Sequence, residues 1–438
     1  MREMRDPPTT LLPYNLTTIT LGTTIHAKMI YRLHLVLALV VVLLALVPYV
    51  PHPELEWNES VLPMAQSFAG AHSTTPLSGK VAVITGATSG IGLSLTRMLS
   101  RLGATVVALG RSQSKLSALK EEIPTVETLL VDLVDLNSVA KAAQQLAESY
   151  DAVDILVNNA GMHDGLNNLL GTHETKQGFD KVFGVNYLSH FLLTEKLAPK
   201  LANATKPVLL QVSSSYHWVV DGSDLMPVGE DPPLASTKGG SHGFILFRST
   251  RSYANSKLAQ ILHARALKRH DPLFADTRVI SACPAWVQTQ IVKADSLVGG
   301  IFRQAMSAGA FDADGWGMAS ILLALFDDSE NSKNDFYSNT LLFDTAPYVM
   351  AGQTGWLYKI GVRDIIGTIM AFSILPLQKL FPDAKAAASS PESYNEILGD
   401  ALYKWSKSAV APFMCGICRP NYLVLQTGNQ SLKEPNVE

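Results

Sequence analysis

The chain has 438 residues, of which 47% are hydrophobic and 17% charged, with a formal net charge of −3. That charge gives no electrostatic footing for nucleic-acid binding, and three cysteines cannot build a disulfide framework. The mean hydropathy of +0.15 is high for a soluble protein, so part of the chain is expected to meet lipid or line a large apolar pocket. Cys415 and Cys418 form a C-x-x-C, but no second Cys or His pair follows at zinc-ligand spacing, and no metal site is expected.

Residues 1–28, rich in Thr and Pro, read as a flexible tail. An apolar run from Leu33 to Val47, broken only by His34, follows. It is shorter than the about 17–25 residues a membrane span needs, but its flanks from Met29 to Val50 bring it close. Residues 29–52 are therefore expected to form a membrane anchor with lipid as partner, and residues 53–77 a linker. A signal-peptide core starting at Met29 and a buried helix are the rival readings. Lys28 and Arg32 precede the run and the next basic residue is Lys80. The positive-inside rule then sends the rest of the chain to the lumen, whereas a shallow, non-spanning anchor leaves it in the cytosol. Asn58 and Asn203 open glycosylation sequons that only a lumenal domain can use. The endoplasmic reticulum membrane is the expected location, with the side of the domain open.

From Lys80 the pattern alternates. Val81–Thr85, Thr105–Leu109, Val126–Val131, Ile155–Val157, Val208–Val212 and Arg278–Ala282 read as strands. Gly90–Leu102, Val139–Leu146, Phe183–Leu201 and Leu258–Leu267 read as helices. Strands alternating with helices predict an α/β fold with a doubly wound, Rossmann-type parallel sheet. One catalytic domain is expected over residues 78–345, with Phe336–Asn339 as its last strand, then an irregular C-terminal extension over 346–438. Within that extension the apolar stretch Trp356–Leu380 reads as an interfacial or pocket-lining helix.

The first strand runs into Thr85-Gly86-Ala87-Thr88-Ser89-Gly90-Ile91-Gly92 and a helix follows at once. Glycines there let the backbone turn tightly against a pyrophosphate, and the helix N-terminus offers free N–H groups. Gly86, Ser89, Gly90, Ile91 and Gly92 are the candidate phosphate cradle. The second strand ends at Gly110-Arg111, where an NAD site would carry a carboxylate for the ribose 2′-hydroxyl. A guanidinium instead suits a 2′-phosphate, so the expected cofactor is NADP(H). Tyr253-Ala254-Asn255-Ser256-Lys257 places a phenol and an ammonium four residues apart on one helical face. A cation near a phenol lowers its pKa toward useful acid–base values.

With the glycine turn and the Y-x-x-x-K in place, the sequence resembles the short-chain dehydrogenase/reductase family over residues 78–345. Asn158-Asn159-Ala160-Gly161 is similar to the family motif that steadies the sheet beneath the cofactor. Asp132-Leu133 resembles the adenine-contacting segment, and Asn186 in Val185-Asn186-Tyr187 the asparagine of the proton relay. Pro284 and Thr289 match the loop that holds the nicotinamide carboxamide. Ser214 resembles the serine that orients the substrate. Strand alternation decides only whether Ser214 or its neighbours Ser213 and Ser215 point inward; the family motif selects Ser214. Asn186–Thr194 and Val212–His217 look most like the retinol-dehydrogenase and WW-domain-containing-oxidoreductase branches, although the chain shows no WW domain.

The resemblance implies hydride transfer between NADP(H) and a lipophilic alcohol or carbonyl compound of retinoid, steroid or polyprenoid type. Ser214 would bond the substrate oxygen, Tyr253 would give or take the proton, and Lys257 would hold the nicotinamide ribose and depress the Tyr253 pKa. Asn186 would place a water linking Lys257 to solvent. Two features depart from the pattern. Pro284-Ala285 stands where the family has Pro-Gly, and Ala fits there if its φ stays negative. The segment Asp221–Thr250 is inserted between Ser214 and Tyr253 and is expected near the site mouth as a lid. A catalytically silent NADP(H)-binding membrane scaffold is the rival function. The substrate, the reaction direction and the choice between monomer and homo-oligomer stay open.

Overall fold

The first apolar run, Val81–Thr85, becomes strand β1 inside the sheet, because both of its faces are apolar and need cover. β2 (Thr105–Gly110) and β3 (Glu127–Leu130) add outward on one side. β4 (Ile155–Asn158), β5 (Val208–Val212), β6 (Arg278–Cys283) and β7 (Phe336–Ser338) add on the other. All these pairs are parallel, and the order is β3-β2-β1-β4-β5-β6-β7-β8. This is the expected doubly wound sheet with one addition. The last strand is β8 (Lys385–Ala386), antiparallel to β7, instead of Phe336–Asn339. The computed structural model describes residues 57–163, 173–228, 231–234, 245–287, 310–327, 335–339 and 384–414, all within the unit Val50–Glu438.

Alternate strand residues face opposite layers. Ala82, Ile84, Val106, Ile155, Val157, Leu210 and Ile280 pack under α1 (Leu62–Ala69), α2 (Gly90–Arg101) and α7 (Ala319–Phe326). Val83, Val107, Leu156, Leu209 and Val279 pack under α4 (Leu136–Ser149), α5 (Ser189–Ala202), α6 (Ile245–His270) and α8 (Glu396–Val410). α3 (Gln113–Glu122) covers the β2–β3 edge through Leu116 and Leu119. α8 and β8 belong to residues from which the sequence yields little. Leu398, Leu402, Tyr403 and Val410 of α8 are nonetheless fully part of the core.

The strand order reverses between β1 and β4. In such sheets the crevice for a ligand opens at that point, outside the carboxyl ends of the strands. The turns after β1, β4, β5 and β6 therefore converge on one place. No described helix is long and apolar enough to cross a membrane. The expected anchor at 29–52 and the apolar stretch Trp356–Leu380 lie outside the described residues, as do Cys415 and Cys418.

Candidate active site

The β1 turn is built on glycines with positive φ, Gly86 at +67° and Gly90 at +53°. A Cβ on Gly92 would stand 2.3 Å from the Gly86 carbonyl oxygen, and one on Gly86 3.0 Å from Ala160 Cα. Side chains there would push α2 off the strand end. Ser89 precedes α2 without capping it through its side chain, and no acidic residue occupies the first turn. The first N–H groups of a helix have no acceptor within it. Gly90, Ile91 and Gly92 thus offer donors and the positive dipole end to an anion, and this cradle fits a pyrophosphate. Gly110 at the end of β2 is buried against the turn, since a Cβ would lie 3.1 Å from Thr88 Cγ2. Arg111, the next residue, is exposed. Asp132 and Leu133, after β3, are half-buried, and the Asp132 carboxylate accepts from the Val134 N–H at 3.1 Å.

The turn after β4 locks onto β1. Asn159 Nδ2 donates to the Thr85 carbonyl at 2.8 Å, and Thr85 Oγ1 accepts from the N–H groups of Asn159 and Ala160, each at 2.9 Å. The Asn159 side chain therefore supports the strand end and is not turned out to a ligand. Asn158 Nδ2 donates to Thr194 Oγ1 at 3.0 Å. Gly161 is exposed, and a Cβ on it would reach within 3.6 Å of Lys257 Nζ and 3.7 Å of Asn186 Oδ1. Met162 meets Asn186 twice, through Met162 N–H to Oδ1 at 2.8 Å and Nδ2 to Met162 O at 3.0 Å. Asn186 lies in a π-helical turn, Gly184–Leu188, that leads into α5.

The three serines after β5 part ways. Ser213 Oγ donates to the Lys257 carbonyl at 2.9 Å, and the Ser215 N–H meets Cys283 Sγ at 3.0 Å. Ser214, half-buried, acts on the Tyr253 phenol as a hydrogen-bonding neighbour that favours its ionised form. Lys257 Nζ lies 5.5 Å from the Tyr253 ring centroid and donates to Val212 O at 2.7 Å and Gln260 Oε1 at 3.0 Å. The structure thus gathers Asn186, Ser214, Tyr253, Lys257 and Gly161 at one place.

The electrostatics differ from the expectation that Lys257 lowers the phenol's pKa. Burial pushes the Tyr253 phenol up, and the Ser214 hydrogen bond only partly opposes it. Burial also takes Lys257 down to about 7, so the ammonium is held much less firmly than an exposed one. Asn186, the residue expected to place a water, is tied in through its carbonyl. The Asn186 carbonyl already accepts from Gln260 Nε2 at 3.0 Å and His190 Nδ1 at 2.8 Å, and a carbonyl has two lone pairs.

After β6, Ala285 takes φ +63°, against the negative φ that would have suited an alanine. Its neighbour Pro284 is held through its carbonyl by Asn339 Nδ2 at 2.9 Å. Thr289 lies outside the described residues. The Tyr253 ring has His163 at 5.3 Å and Tyr216 at 5.7 Å between centroids, with Trp286 6.2 Å from Tyr216. The start of the insertion is tied to α6, where Arg251 grips the Asp224 carboxylate and Asn255 Nδ2 reaches it at 3.1 Å. Residues 229–230 and 235–244 of the insertion lie outside the described residues.

Sequence reading misses Gln260, His190, Thr85, Tyr216 and Trp286. Two of them were within reach of periodicity. Gln260 follows Lys257 by three residues and His190 follows Asn186 by four, which puts each pair on one helical face.

A glycine cradle at the strand-order reversal, with a tyrosine and a lysine one helical turn apart, defines a dinucleotide-binding α/β oxidoreductase fold. A model of the short chain dehydrogenase family matches residues 80–246. Human retinol dehydrogenase 12 is 32% identical over 242 residues, covering 53% of this chain and 69% of that protein. The chain belongs to the short-chain dehydrogenase family. Human polyprenol dehydrogenase is 33% identical over 204 residues, 44% of this chain and 56% of that protein. Human retinol dehydrogenase 13 is 31% identical over 204 residues, 45% and 56% of the two chains. The match thus spans little more than half the length of these last two relatives.

Proposed function

We propose that the protein is an NADP(H)-dependent oxidoreductase that interconverts a lipophilic alcohol and its carbonyl compound, with Tyr253 as the acid–base residue. One observation carries the reading: Ser214 acts on the Tyr253 phenol beside Lys257, whose Nζ lies 5.5 Å from the Tyr253 ring centroid, at the strand ends that carry the glycine cradle. The bound nicotinamide supplies the hydride chemistry. The chain's own residues do the rest. Gly86, Ser89, Gly90, Ile91 and Gly92 hold the pyrophosphate. Arg111 takes the 2′-phosphate, because a guanidinium forks onto phosphate oxygens and no carboxylate stands at position 110 or 111. Asp132 and Leu133 line the adenine side, and Asn159, Ala160 and Gly161 form the floor. Pro284 and Thr289 hold the carboxamide, and Lys257 holds the ribose.

At the reacting oxygen, Ser214 donates a hydrogen bond and Tyr253 delivers or removes the proton at Oη. The aromatic surround of His163, Tyr216 and Trp286 supports an apolar substrate. The relatives named for polyprenol and retinol support the same class. We further propose residues 29–52 as the anchor to the endoplasmic reticulum membrane, on the strength of the apolar run.

The test is the purified protein with NADPH or NADP⁺ against a panel of retinoid, steroid and polyprenoid alcohols and aldehydes. Turnover of one lipophilic pair is the expected result. The second reading, a silent nucleotide-binding scaffold, draws on the left-handed Ala285 beside the carboxamide loop. Nucleotide binding without turnover across the whole panel would favour it.

A further inference from the structure

Gln260 stands one helical turn beyond Lys257 and is fully buried, as are Lys257 and Asn186. Its amide spans the two. Oε1 accepts from Lys257 Nζ at 3.0 Å, and Nε2 donates to the Asn186 carbonyl at 3.0 Å. The reverse amide orientation would set donor against donor at Lys257 and acceptor against acceptor at Asn186, so the lysine and the carbonyl fix it. The Asn186 carbonyl is held from its other side by His190, whose Nδ1 must donate because a carbonyl only accepts. His190 Nε2 then accepts from Thr85 Oγ1 at 2.9 Å. One hydrogen-bonded chain thus runs from Lys257 through Gln260, Asn186 and His190 to the end of β1 under the cradle.

We propose that Gln260 is a positioning residue for the reaction. Its side-chain amide clamps Lys257 onto the Asn186 carbonyl, accepting from the ammonium on one side and donating to the carbonyl on the other. Gln260 therefore fixes where the Lys257 ammonium sits and how readily it keeps its proton. The proposal rests on the reading of Tyr253 and Lys257 given above, but part of its test does not.

The groups facing Lys257 are Tyr253 on α6, Cys283 on β6 and His190 on α5. Two variants of similar size change the clamp in opposite senses. Gln260→Glu sets a carboxylate against the ammonium, which favours the charged lysine. Gln260→Met keeps the volume but removes the acceptor. The first measurement needs no cofactor. A lysine held below its unfolded value near 10.5 makes stability rise with pH between about 7 and 10.5, because the unfolded chain binds the proton longer. The melting temperature of wild type minus that of Gln260→Glu should therefore rise across this window. The second measurement is NADPH affinity against pH by fluorescence titration. Its midpoint should move up by about one unit or more in Gln260→Glu and down in Gln260→Met.

Parallel melting curves together with unmoved midpoints in both variants would overturn the clamp. If Gln260→Met does not fold, the Gln260→Glu curves decide alone. If the wild type binds no NADPH, the proposed function fails. The melting-temperature difference then still decides whether Gln260 sets the Lys257 proton.

Discussion

The imidazole of His217 accepts the backbone N–H of Ser390 on Nε2 at 3.0 Å, tying the turn after β5 to the C-terminal segment. Its Nδ1 donates to the Ser214 carbonyl in the same turn. Only a neutral ring with its proton on Nδ1 makes both bonds.

Burial keeps that ring neutral, lowering His217 to about 4, and does the same to His190 at about 4 and His263 at about 3. An unfolded histidine titrates near 6.5. As pH falls below that value, the unfolded chain takes up these protons before the folded one does. Stability that is fully present above about pH 6.5 is therefore lost toward about pH 4. Calorimetry across this window should show a steep fall in melting temperature, and His217→Gln should make it shallower. A flat profile between pH 6.5 and 4.5 would mean that the three rings are not held neutral in the core.

Lys407 on α8 places Nζ 2.6 Å from the carboxylate of Glu195, which is fully buried on α5 and also takes the Tyr403 hydroxyl at 3.2 Å. Removing the cation from a buried carboxylate is costly, about 3 kcal/mol in comparable pairs. Lys407→Met should lower unfolding free energy by about that much in a urea titration, with less loss when Glu195→Leu is added. A loss under about 0.5 kcal/mol, the level of an ordinary surface change, would show that α8 is not docked there.

Ala285 at φ +63° carries the left-handed penalty of about 1–2 kcal/mol for a residue with a Cβ. Glycine removes it but loses about 0.5–1 kcal/mol to the freedom of the unfolded chain. Ala285→Gly should therefore stabilise by up to about 1.5 kcal/mol, raising the melting temperature by about 3–6 °C or less. A lower melting temperature would contradict the left-handed geometry.

The strands were legible because parallel strands are buried on both faces and read as unbroken apolar runs, as Val81–Thr85 and Val208–Val212 do. β8 was not, since a two-residue edge strand, Lys385–Ala386, has no period to read. α8 carries its apolar residues among charges, so its docking depends on Glu195, which lies 212 residues before Lys407. At the site, Tyr253, Lys257 and Ser214 announce themselves as residue types. Gln260 does not, because its role depends on what faces it across α5. Ala285 was legible as a departure, but its φ is set by the turn that Asn339 braces.

Arg111, exposed at the end of β2, is expected to read the 2′-phosphate. Arg111→Ala should weaken NADPH by about 1.5–3 kcal/mol, the range for hydrogen bonds to a charged group, and NADH much less. Titrating both nucleotides against both proteins checks it. Equal losses would show that the guanidinium does not distinguish them.

The most direct test of the account is Tyr253→Phe, measured for turnover and NADPH binding side by side on a lipophilic substrate of the wild type. Phenylalanine keeps the ring between His163 and Tyr216 and removes only the hydroxyl. Proton transfer by a placed side chain is worth about 10²–10⁴ in rate, so kcat should fall by at least about 100-fold. The NADPH dissociation constant should stay close to that of the wild type. A variant that binds NADPH and keeps near-wild-type kcat would contradict Tyr253 as the acid–base residue.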